Sequence, residues 1–241
     1  MLYYNIRVTK IIPLREVAAT PVAISVTNLH WHYDRRCVLH GLSFDLPRGS
    51  MVAVLGANGA GKTTLLRLLA GNLRPMQGEI TLAPDLCANV AYLPQHSMIE
   101  RQFPITTAEI VSMGMPRIPR RDRASKIHTA LEQMDLLPQA NFPISELSAG
   151  QLKRALLARI MVQGAGLLCL DEPFAEVDEK TVHTILRGLQ QSQAAGKTVI
   201  VSLHNAALAE KYFDHALCLS QGSAEFGPIK KIIPLFTAGA V

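Results

Sequence analysis

The chain has 241 residues, of which 49% are hydrophobic and 18% are charged, a composition typical of compact globular proteins and not of disordered ones. At about 150 residues per domain, this length allows one or two domains with a core that needs neither disulfides nor metals. The formal net charge of +5 is compatible with a nucleotide or a membrane surface but too diffuse to indicate a nucleic-acid partner. The longest apolar stretch contains Arg159 and Gln163, which argues against a membrane span of about 20 residues.

Neither the N-terminal segment nor the cysteines show a pattern for secretion or metal binding. Residues 1–20 have no clear periodicity, and we treat them as an appendage. The apolar stretch that follows its basic residues is interrupted by Thr20 and Pro21, unlike a signal peptide, which favours a cytoplasmic protein. The sequence has no CxxC pair and no Cys/His pair at metal-ligand spacing, so we expect four reduced thiols: Cys37, Cys87, Cys169 and Cys218.

From residue 22 the sequence consists of short β-rich stretches and one helix. The stretch 51–55 is wholly apolar and leads into a glycine-rich turn, as buried parallel strands do. Behind the turn a helix is predicted, and Gly71 closes it. In chain order, the predicted elements are strands 22–33, 38–46 and 51–55, helix 63–70, and strands 79–82 and 88–93.

Residues 95–160 differ from their surroundings, because their apolar residues recur at helical spacing between proline-rich loops. Alternation of strands and helices then resumes with strand 167–170, helix 179–194, strand 198–203, helix 206–212 and strand 216–219. Strand–helix alternation on both sides of a helical insert predicts an α/β fold in which a helical subdomain is attached to the sheet.

The turn after the third strand matches the phosphate-binding pattern G-x-x-x-x-G-K-[ST] without a mismatch, from Gly56 to Gly61, Lys62 and Thr63. Glycines let successive N–H groups form a concave anion site, and the following helix adds its N-terminal dipole. Lys62 is expected to reach the β- and γ-phosphates, and Thr63 to bind Mg²⁺. A chance match in this length is on the order of one in a hundred. The remaining residues of this turn that we predict to hold nucleotide are Asn58, Gly59 and Thr64.

Two carboxylates, Asp171 and Glu172, follow the apolar strand 167–170. Ligands of parallel sheets lie at the carboxyl ends of the strands, so Asp171 is expected to face the phosphate turn and to hold Mg²⁺ through water. Glu172 is placed to accept a proton from a water that attacks the γ-phosphate. An exposed acidic strand end is the alternative, and the phosphate turn upstream argues against it.

The segment Leu147-Ser148-Ala149-Gly150-Gln151 stands before a predicted helix, residues 152–161, and before Asp171 in the chain. With the phosphate turn, it resembles the signature motif of the nucleotide-binding (ATPase) subunits of ABC transporters, and the resemblance covers residues 22–227. It implies a P-loop NTPase (RecA-like) core with an antiparallel β subdomain and a helical insert. The core would comprise residues 21–94 and 161–241, and the helical subdomain residues 95–160.

The resemblance also implies roles for single residues near the phosphate turn. Tyr33 matches the aromatic residue that stacks on adenine, with Trp31 as a rival. Gln95 matches the glutamine that contacts Mg²⁺ and the attacking water, and His204 matches the histidine that contacts the γ-phosphate. With Glu172, these two residues are the predicted catalytic set, and ATP and Mg²⁺ are the expected cofactors.

A second set of residues is expected to act on the nucleotide of another subunit. Ser148, Gly150 and Gln151 match the signature that holds the γ-phosphate bound by the opposite chain, and Asp178 matches the loop that crosses the dimer interface. A serine and a glycine at a helix start offer a hydroxyl and amides to an anion. The resemblance therefore implies a homodimer that closes around two ATP molecules.

Three residues depart from the family pattern. Ala149 replaces the commoner glycine of the signature, and its methyl group would cost about 1 kcal/mol if the backbone there required φ > 0. Asn205 follows His204 where the family often has aspartate, which puts the orientation of the histidine in doubt. Glu176 in the crossing loop is unusual, and the sequence predicts no effect for it.

A transport function, implied by the resemblance alone, requires partners. Polytopic membrane permease subunits would bind residues 101–114, a substrate-binding protein is expected indirectly, and the chain would lie on the cytoplasmic face of the inner membrane. The same stretch, with residues 171–174 and 177–178, most resembles importers of zinc, manganese or iron. Alternatives are an ABC ATPase for another substrate such as an iron-siderophore, or a soluble ABC ATPase that does not transport.

Two further patterns have a functional and a simpler interpretation. His30 and His32 stand two residues apart on a predicted strand, and we interpret them as strand surface and not as a metal site. A basic run could contact lipid headgroups, although a solvated loop and helix start is the preferred interpretation. This run consists of Arg117, Arg120, Arg121, Arg123 and Lys126.

Overall fold

The computed structural model describes residues 21–34, 36–87, 89–95, 99–115 and 118–238, so the appendage predicted for residues 1–20 lies outside the described part. The first layer is a three-stranded antiparallel sheet, with β1 (Val22–Tyr33) between β2 (Arg36–Pro47) and β4 (Gln77–Leu82). Val26 of β1 pairs with Phe44 on one side and Ile80 on the other, and its side chain is buried. This sheet therefore contributes one face to the core.

The second layer is a six-stranded sheet in the order β5-β6-β7-β3-β8-β9. Its strands are parallel except β9, which pairs antiparallel with β8. Every residue of β3, β6 and β7 is buried, because the sheet is covered on both faces. The strands are β3 (Met51–Gly56), β5 (Val90–Leu93), β6 (Leu167–Asp171), β7 (Thr198–Ser202), β8 (His215–Ser220) and β9 (Ser223–Pro228).

Helices cover both faces of this sheet and form a hydrophobic cluster on each. Successive residues of β3 point to opposite faces and therefore belong to the two clusters in turn. Met51, Ala53 and Leu55 belong to the cluster that also holds the helices of residues 107–161, whereas Val52 and Val54 pack with α1 and the antiparallel sheet. The helices are α1 (Lys62–Leu69), α2 (Thr107–Ser112), α3 (Arg120–Gln133), α4 (Ala149–Met161), α5 (Glu179–Ala194), α6 (Ala206–Tyr212) and α7 (Ile229–Thr237).

The structure confirms the α/β fold and corrects several predicted boundaries. The predicted helix 152–161 begins earlier, at Ala149, because Ser148 caps it. The predicted strand 88–93 begins at Val90, and Ala88 lies outside the described residues. The sequence analysis missed β9 and α7, and α7 contains an internal proline, Pro234, which hides a helical pattern.

Within the described ranges, no helix has the length and apolar character to cross a membrane. The four cysteines are free thiols, as predicted, and two of them are buried: Cys169 and Cys218. Burial raises the pKa of Cys169 to about 12, so this thiol stays protonated.

Candidate functional site

The predicted phosphate turn connects β3 to α1, and its geometry requires glycine. Gly61 has φ +102°, and a Cβ atom there would lie 2.9 Å from Leu39 Cδ2 and 3.3 Å from the Val38 carbonyl oxygen. At Gly56 a Cβ atom would lie 2.7 Å from the Leu219 carbonyl oxygen. No side chain of the described residues caps the first amides of α1, so they remain available to an anion.

Lys62 lies buried over this turn. Its ammonium donates to the carbonyl oxygens of Gly56 at 2.8 Å and of Ala57 at 3.1 Å, and it lies 3.4 Å from His204 Nδ1. Burial lowers the pKa of Lys62, and the charges of Glu172 and Asp171 partly oppose that shift. The ammonium is thus held between the turn and the carboxyl ends of the neighbouring strands.

Glu172 is held at both carboxylate oxygens. Gln95 Nε2 donates to Glu172 Oε2 at 2.8 Å, and His204 Nε2 lies 2.5 Å from Glu172 Oε1. The backbone of Glu172 has φ +48°, a conformation that costs an L-residue roughly 1–2 kcal/mol, and its N–H donates to Ser202 Oγ at 2.9 Å. The three predicted catalytic residues therefore lie in direct contact, and the strained backbone turns the carboxylate toward the other two.

Asp171 is almost fully buried beside them. Its carboxylate accepts hydrogen bonds from Ser202 Oγ at 2.6 Å and from the Tyr92 hydroxyl at 3.5 Å. Burial and the charge of Asp171 raise the pKa of Tyr92 to about 12, so Tyr92 remains a donor, and Arg67 also hydrogen-bonds to its side chain. Sequence reasoning missed Ser202 and Tyr92, because a serine or tyrosine on a buried strand carries no motif.

The residues predicted to hold Mg²⁺ offer the oxygen ligands that this ion prefers. These are the Thr63 hydroxyl, the Gln95 side-chain carbonyl and the Asp171 carboxylate. Among the described residues, only hydroxyl groups donate to the Asp171 carboxylate, and no basic side chain lies within ion-pairing distance of it. A buried carboxylate without a basic partner fits a position that faces a divalent cation. When bound, Mg²⁺ would neutralise phosphate charge at this position.

A cleft of about 470 Å³ opens above these groups, and ten of the predicted residues line it. Tyr33 lies at the cleft and is half-exposed, whereas its rival Trp31 is buried in the core, 4.1 Å from the Tyr33 ring centre. Arg36 and Val38 also line the cleft and were not predicted. The ten are Tyr33, Asn58, Gly59, Gly61, Lys62, Thr63, Thr64, Gln95, Glu172 and His204.

The signature segment forms the start of α4. Ser148 Oγ accepts from the Gln151 N–H at 3.2 Å, and Gln151 Oε1 accepts from the Ser148 N–H at 2.8 Å, which is a capping box. Ala149 is the first helical residue and has no positive φ, so the condition under which its methyl group would cost energy is not met. A Cβ atom at Gly150 would lie 2.9 Å from Thr181 Oγ1.

Asp178 lies close to this segment and away from the cleft. It caps α5 by accepting from the Thr181 N–H at 2.7 Å, and this hydrogen bond lowers the pKa of Asp178. Thr181 therefore contacts both the crossing loop and the neighbourhood of Gly150. Five predicted nucleotide-binding residues are not part of the cleft lining in the described structure: Gly56 of the phosphate turn, and Ser148, Gly150, Gln151 and Asp178.

The remaining departures and histidines have local explanations. Asn205 caps α6, with its Oδ1 accepting from the Leu208 N–H at 3.0 Å, while His204 is oriented by its contact with Glu172. His30 Nε2 lies 3.0 Å from an asparagine side chain, and the described residues contain no cluster of three metal-binding side chains. His30 is half-buried and His32 is exposed, and both lie on β1, where the sequence analysis expected strand surface.

The comparisons with known proteins identify the family. The ABC transporter family model matches residues 39–175, which include the phosphate turn, the signature segment and the acid pair. The chain belongs to the ABC transporter family. It is an ATP-binding subunit of the ABC type that hydrolyses ATP with Mg²⁺, as the sequence analysis predicted.

Relatives of this ABC protein match it over most of its length. The manganese transport system ATP-binding protein MntB of Bacillus subtilis is 31% identical over 222 residues, which cover 88% of this chain and 89% of MntB. The zinc transport system ATP-binding protein TroB of Treponema pallidum is 35% identical, over 86% of this chain and 82% of TroB. Among solved structures, CbiO1 of Clostridium perfringens, part of the CbiONQ ABC transporter complex, has a TM-score of 0.76 at 25% identity over 88% of this chain and 91% of CbiO1.

Proposed function

We propose that the chain powers the import of a divalent metal ion, zinc, manganese or iron, as the ATPase subunit of a membrane transporter. The observation that carries the proposal is its identity of more than 30% with MntB and TroB over more than four-fifths of each chain, since these relatives are named for manganese and zinc transport. An ATPase of this kind does not touch the cargo, so its own residues would supply energy and not metal selectivity.

The catalytic roles that we propose follow from the contacts around the cleft. Glu172 is the general base for the attacking water, Gln95 orients its carboxylate, and His204 contacts the γ-phosphate. Lys62 would leave the turn carbonyls to bind the β- and γ-phosphates, and Tyr33 would stack on adenine. Two hydrogen-bonding partners on one carboxylate support the role of Glu172, because they fix its orientation before the substrate arrives.

The proposed active form is a homodimer. The cleft lining comes from the phosphate turn, β1, β2 and the strand ends, whereas Ser148, Gly150 and Asp178 lie elsewhere on the described surface. A second copy placed head-to-tail would bring its Ser148 and Gly150 to the open side of the cleft. Such an arrangement makes closure depend on ATP, because the nucleotide binds both chains only in the closed state.

Residues 101–114 are the proposed contact with polytopic permease subunits on the cytoplasmic face of the inner membrane, in a system that also uses a substrate-binding protein. Phe103 and Met113 are each more than half exposed in this segment, and Phe142, whose carbonyl accepts from the Thr107 N–H at 2.9 Å, is exposed beside it. Exposed apolar side chains gathered on one subdomain indicate a protein-binding surface.

Purification from membranes tests these partners. We expect a polytopic protein to copurify with the tagged chain, and a Phe103→Ser/Met113→Ser variant to lose it while retaining ATP hydrolysis. Met76→Ser is the matched control, since Met76 is exposed to a similar degree outside the segment. Copurification of ribosomes or DNA in place of a membrane protein would contradict transport.

Uptake of radiolabelled metal tests the cargo. Cells that lack the chain should regain uptake of Zn²⁺, Mn²⁺ or Fe²⁺ with the wild-type protein and not with Glu172→Gln. Restored uptake of an iron-siderophore with no change in free metal ions would contradict the metal assignment and leave the ATPase assignment intact.

A further inference from the structure

Lys153 on α4 lies among three segments of the site that are far apart in the chain. Its ammonium donates to the backbone carbonyl of Gln95 at 3.3 Å, and the side chain is half-buried. Burial lowers the pKa of Lys153, and the carboxylates that oppose this shift are, in order of effect, Glu176, Glu172 and Asp171. The hydrogen bond thus joins α4 to the segment after β5, and the acid pair at the end of β6 and the loop before α5 act on the same cation only through their charges.

Gln95 is held at both of its polar ends. Lys153 binds its backbone carbonyl, and its side-chain amide donates to Glu172 at 2.8 Å. A shift of the Gln95 backbone would move its side-chain amide away from the Glu172 carboxylate. The contact from α4 therefore restrains the group that orients the proposed general base.

Glu176 lies in the loop before α5, and its backbone has φ +60°, which costs an L-residue roughly 1–2 kcal/mol. Its side chain is exposed, and none of the ion pairs among the described residues joins it to Lys153. A change of the Glu176 side chain therefore leaves the hydrogen bond from Lys153 to Gln95 in place.

We propose that Lys153 is a positioning residue for ATP hydrolysis, which holds the Gln95 backbone so that its amide stays on Glu172. The inference rests on the proposed roles of Gln95 and Glu172. It connects α4, which carries Ser148 and Gly150 at its start, to the catalytic carboxylate of the same chain.

Steady-state kinetics of Lys153→Met test the proposal in the full-length chain. Methionine keeps the length and apolar stem of lysine and removes the charge. We expect kcat to fall about ten- to hundredfold, as for a small misplacement of a catalytic group, while KM for ATP changes less than about twofold. Lys153→Arg should restore most of the activity, and Lys230→Met, which removes an exposed lysine on α7, should leave kcat unchanged.

The exposed Glu176 gives a second variant with little effect on folding. Glu176→Gln leaves the hydrogen bond from Lys153 to Gln95 in place, so it should lower kcat by less than Lys153→Met does. Thermal unfolding of each variant is measured alongside. A loss of kcat in Glu176→Gln as large as that in Lys153→Met would overturn the proposal.

Glu172→Gln, measured in parallel, separates this proposal from the proposed function. If Lys153→Met retains wild-type kcat while Glu172→Gln is inactive, the positioning role is overturned and the general base stands. If Lys153→Met lowers thermal stability and ATP affinity together with kcat, and arginine does not rescue it, the residue is structural and the proposal is overturned. Normal turnover by Glu172→Gln would overturn both.

Discussion

Glu172 is the residue on which the proposed chemistry of the site depends most. Glu172→Gln keeps the hydrogen-bonding shape of the side chain and removes its basicity, so ATP should still bind while kcat falls about 10²–10⁴-fold, the usual contribution of a general base. Phosphate release measures the rate, and a fluorescent ATP analogue measures binding. Glu225→Gln, an exposed change on β9, is the control, and an unchanged rate for Glu172→Gln would contradict the assignment.

Lys62 should determine affinity for the phosphates. Lys62→Ala removes a charge-assisted hydrogen bond, whose net contribution is about 1.5–3 kcal/mol, so the Kd for ATP should rise roughly ten- to hundredfold. Isothermal titration calorimetry measures this directly. Titration that matches the wild type would show that the ammonium stays on the Gly56 and Ala57 carbonyls when nucleotide binds.

Tyr33 should recognise the base and not the phosphates. Tyr33→Ala should weaken ATP binding by about 1–3 kcal/mol, the value of one aromatic–base stack, whereas Tyr33→Phe should bind as the wild type does. Inorganic triphosphate, which has no base, is the comparison ligand in the same titration. An equal loss of triphosphate binding would point to disruption of the cleft and against stacking.

At the scale of single residues, the sequence predicted the site side chains that belong to a recognisable motif and missed those that do not. Lys62, Glu172 and His204 stand at fixed points relative to a glycine-rich turn or a strand end, and the structure brings them into contact. Ser202 and Tyr92 lie on buried strands, where serine and tyrosine are ordinary residues. Only the pairing of β7 and β5 with β6 places them beside Asp171.

At the scale of elements, tight contact between α4 and the residues after α2 fixes the helical segment. A Cβ atom at Gly114 would lie 2.1 Å from the Arg159 carbonyl oxygen and 2.7 Å from Val162 Cγ2. Gly114→Ala should therefore lower the free energy of unfolding by about 1–3 kcal/mol, the range for overpacking. Urea unfolding measures it, with Gly227→Ala as control, since the nearest atom there is 3.6 Å away.

The elements that the sequence predicted well have clearly marked ends. Helix Glu179–Ala194 and strand Val22–Tyr33 match their predictions at both ends, because a cap or a turn marks each boundary. The start of α4 was missed by three residues, since the capping box of Ser148 and Gln151 lies inside the signature that was used only as a motif. Helix α7 was not predicted because it contains Pro234. Strand β9 was not predicted because its residues alternate only between exposed and half-buried.

At the scale of the whole molecule, the signature and crossing-loop residues predicted to bind nucleotide lie outside the cleft that most of the other predicted residues line. If two copies complete each site, the ATPase rate per chain should rise with protein concentration until dimerisation saturates. A dilution series of the wild-type protein at saturating Mg²⁺ and ATP measures this. A rate per chain that stays constant over the whole series, from a protein that remains monomeric, would contradict a shared site.

The mass of the nucleotide-loaded protein tests the shared site most directly. Glu172→Gln is expected to bind ATP without consuming it, so light scattering of that variant with Mg²⁺ and ATP should give twice the 26.3 kDa of one chain. The mass should return to one chain without nucleotide or when Lys62→Ala is added. A protein saturated with ATP that stays at 26.3 kDa at every concentration would contradict the account.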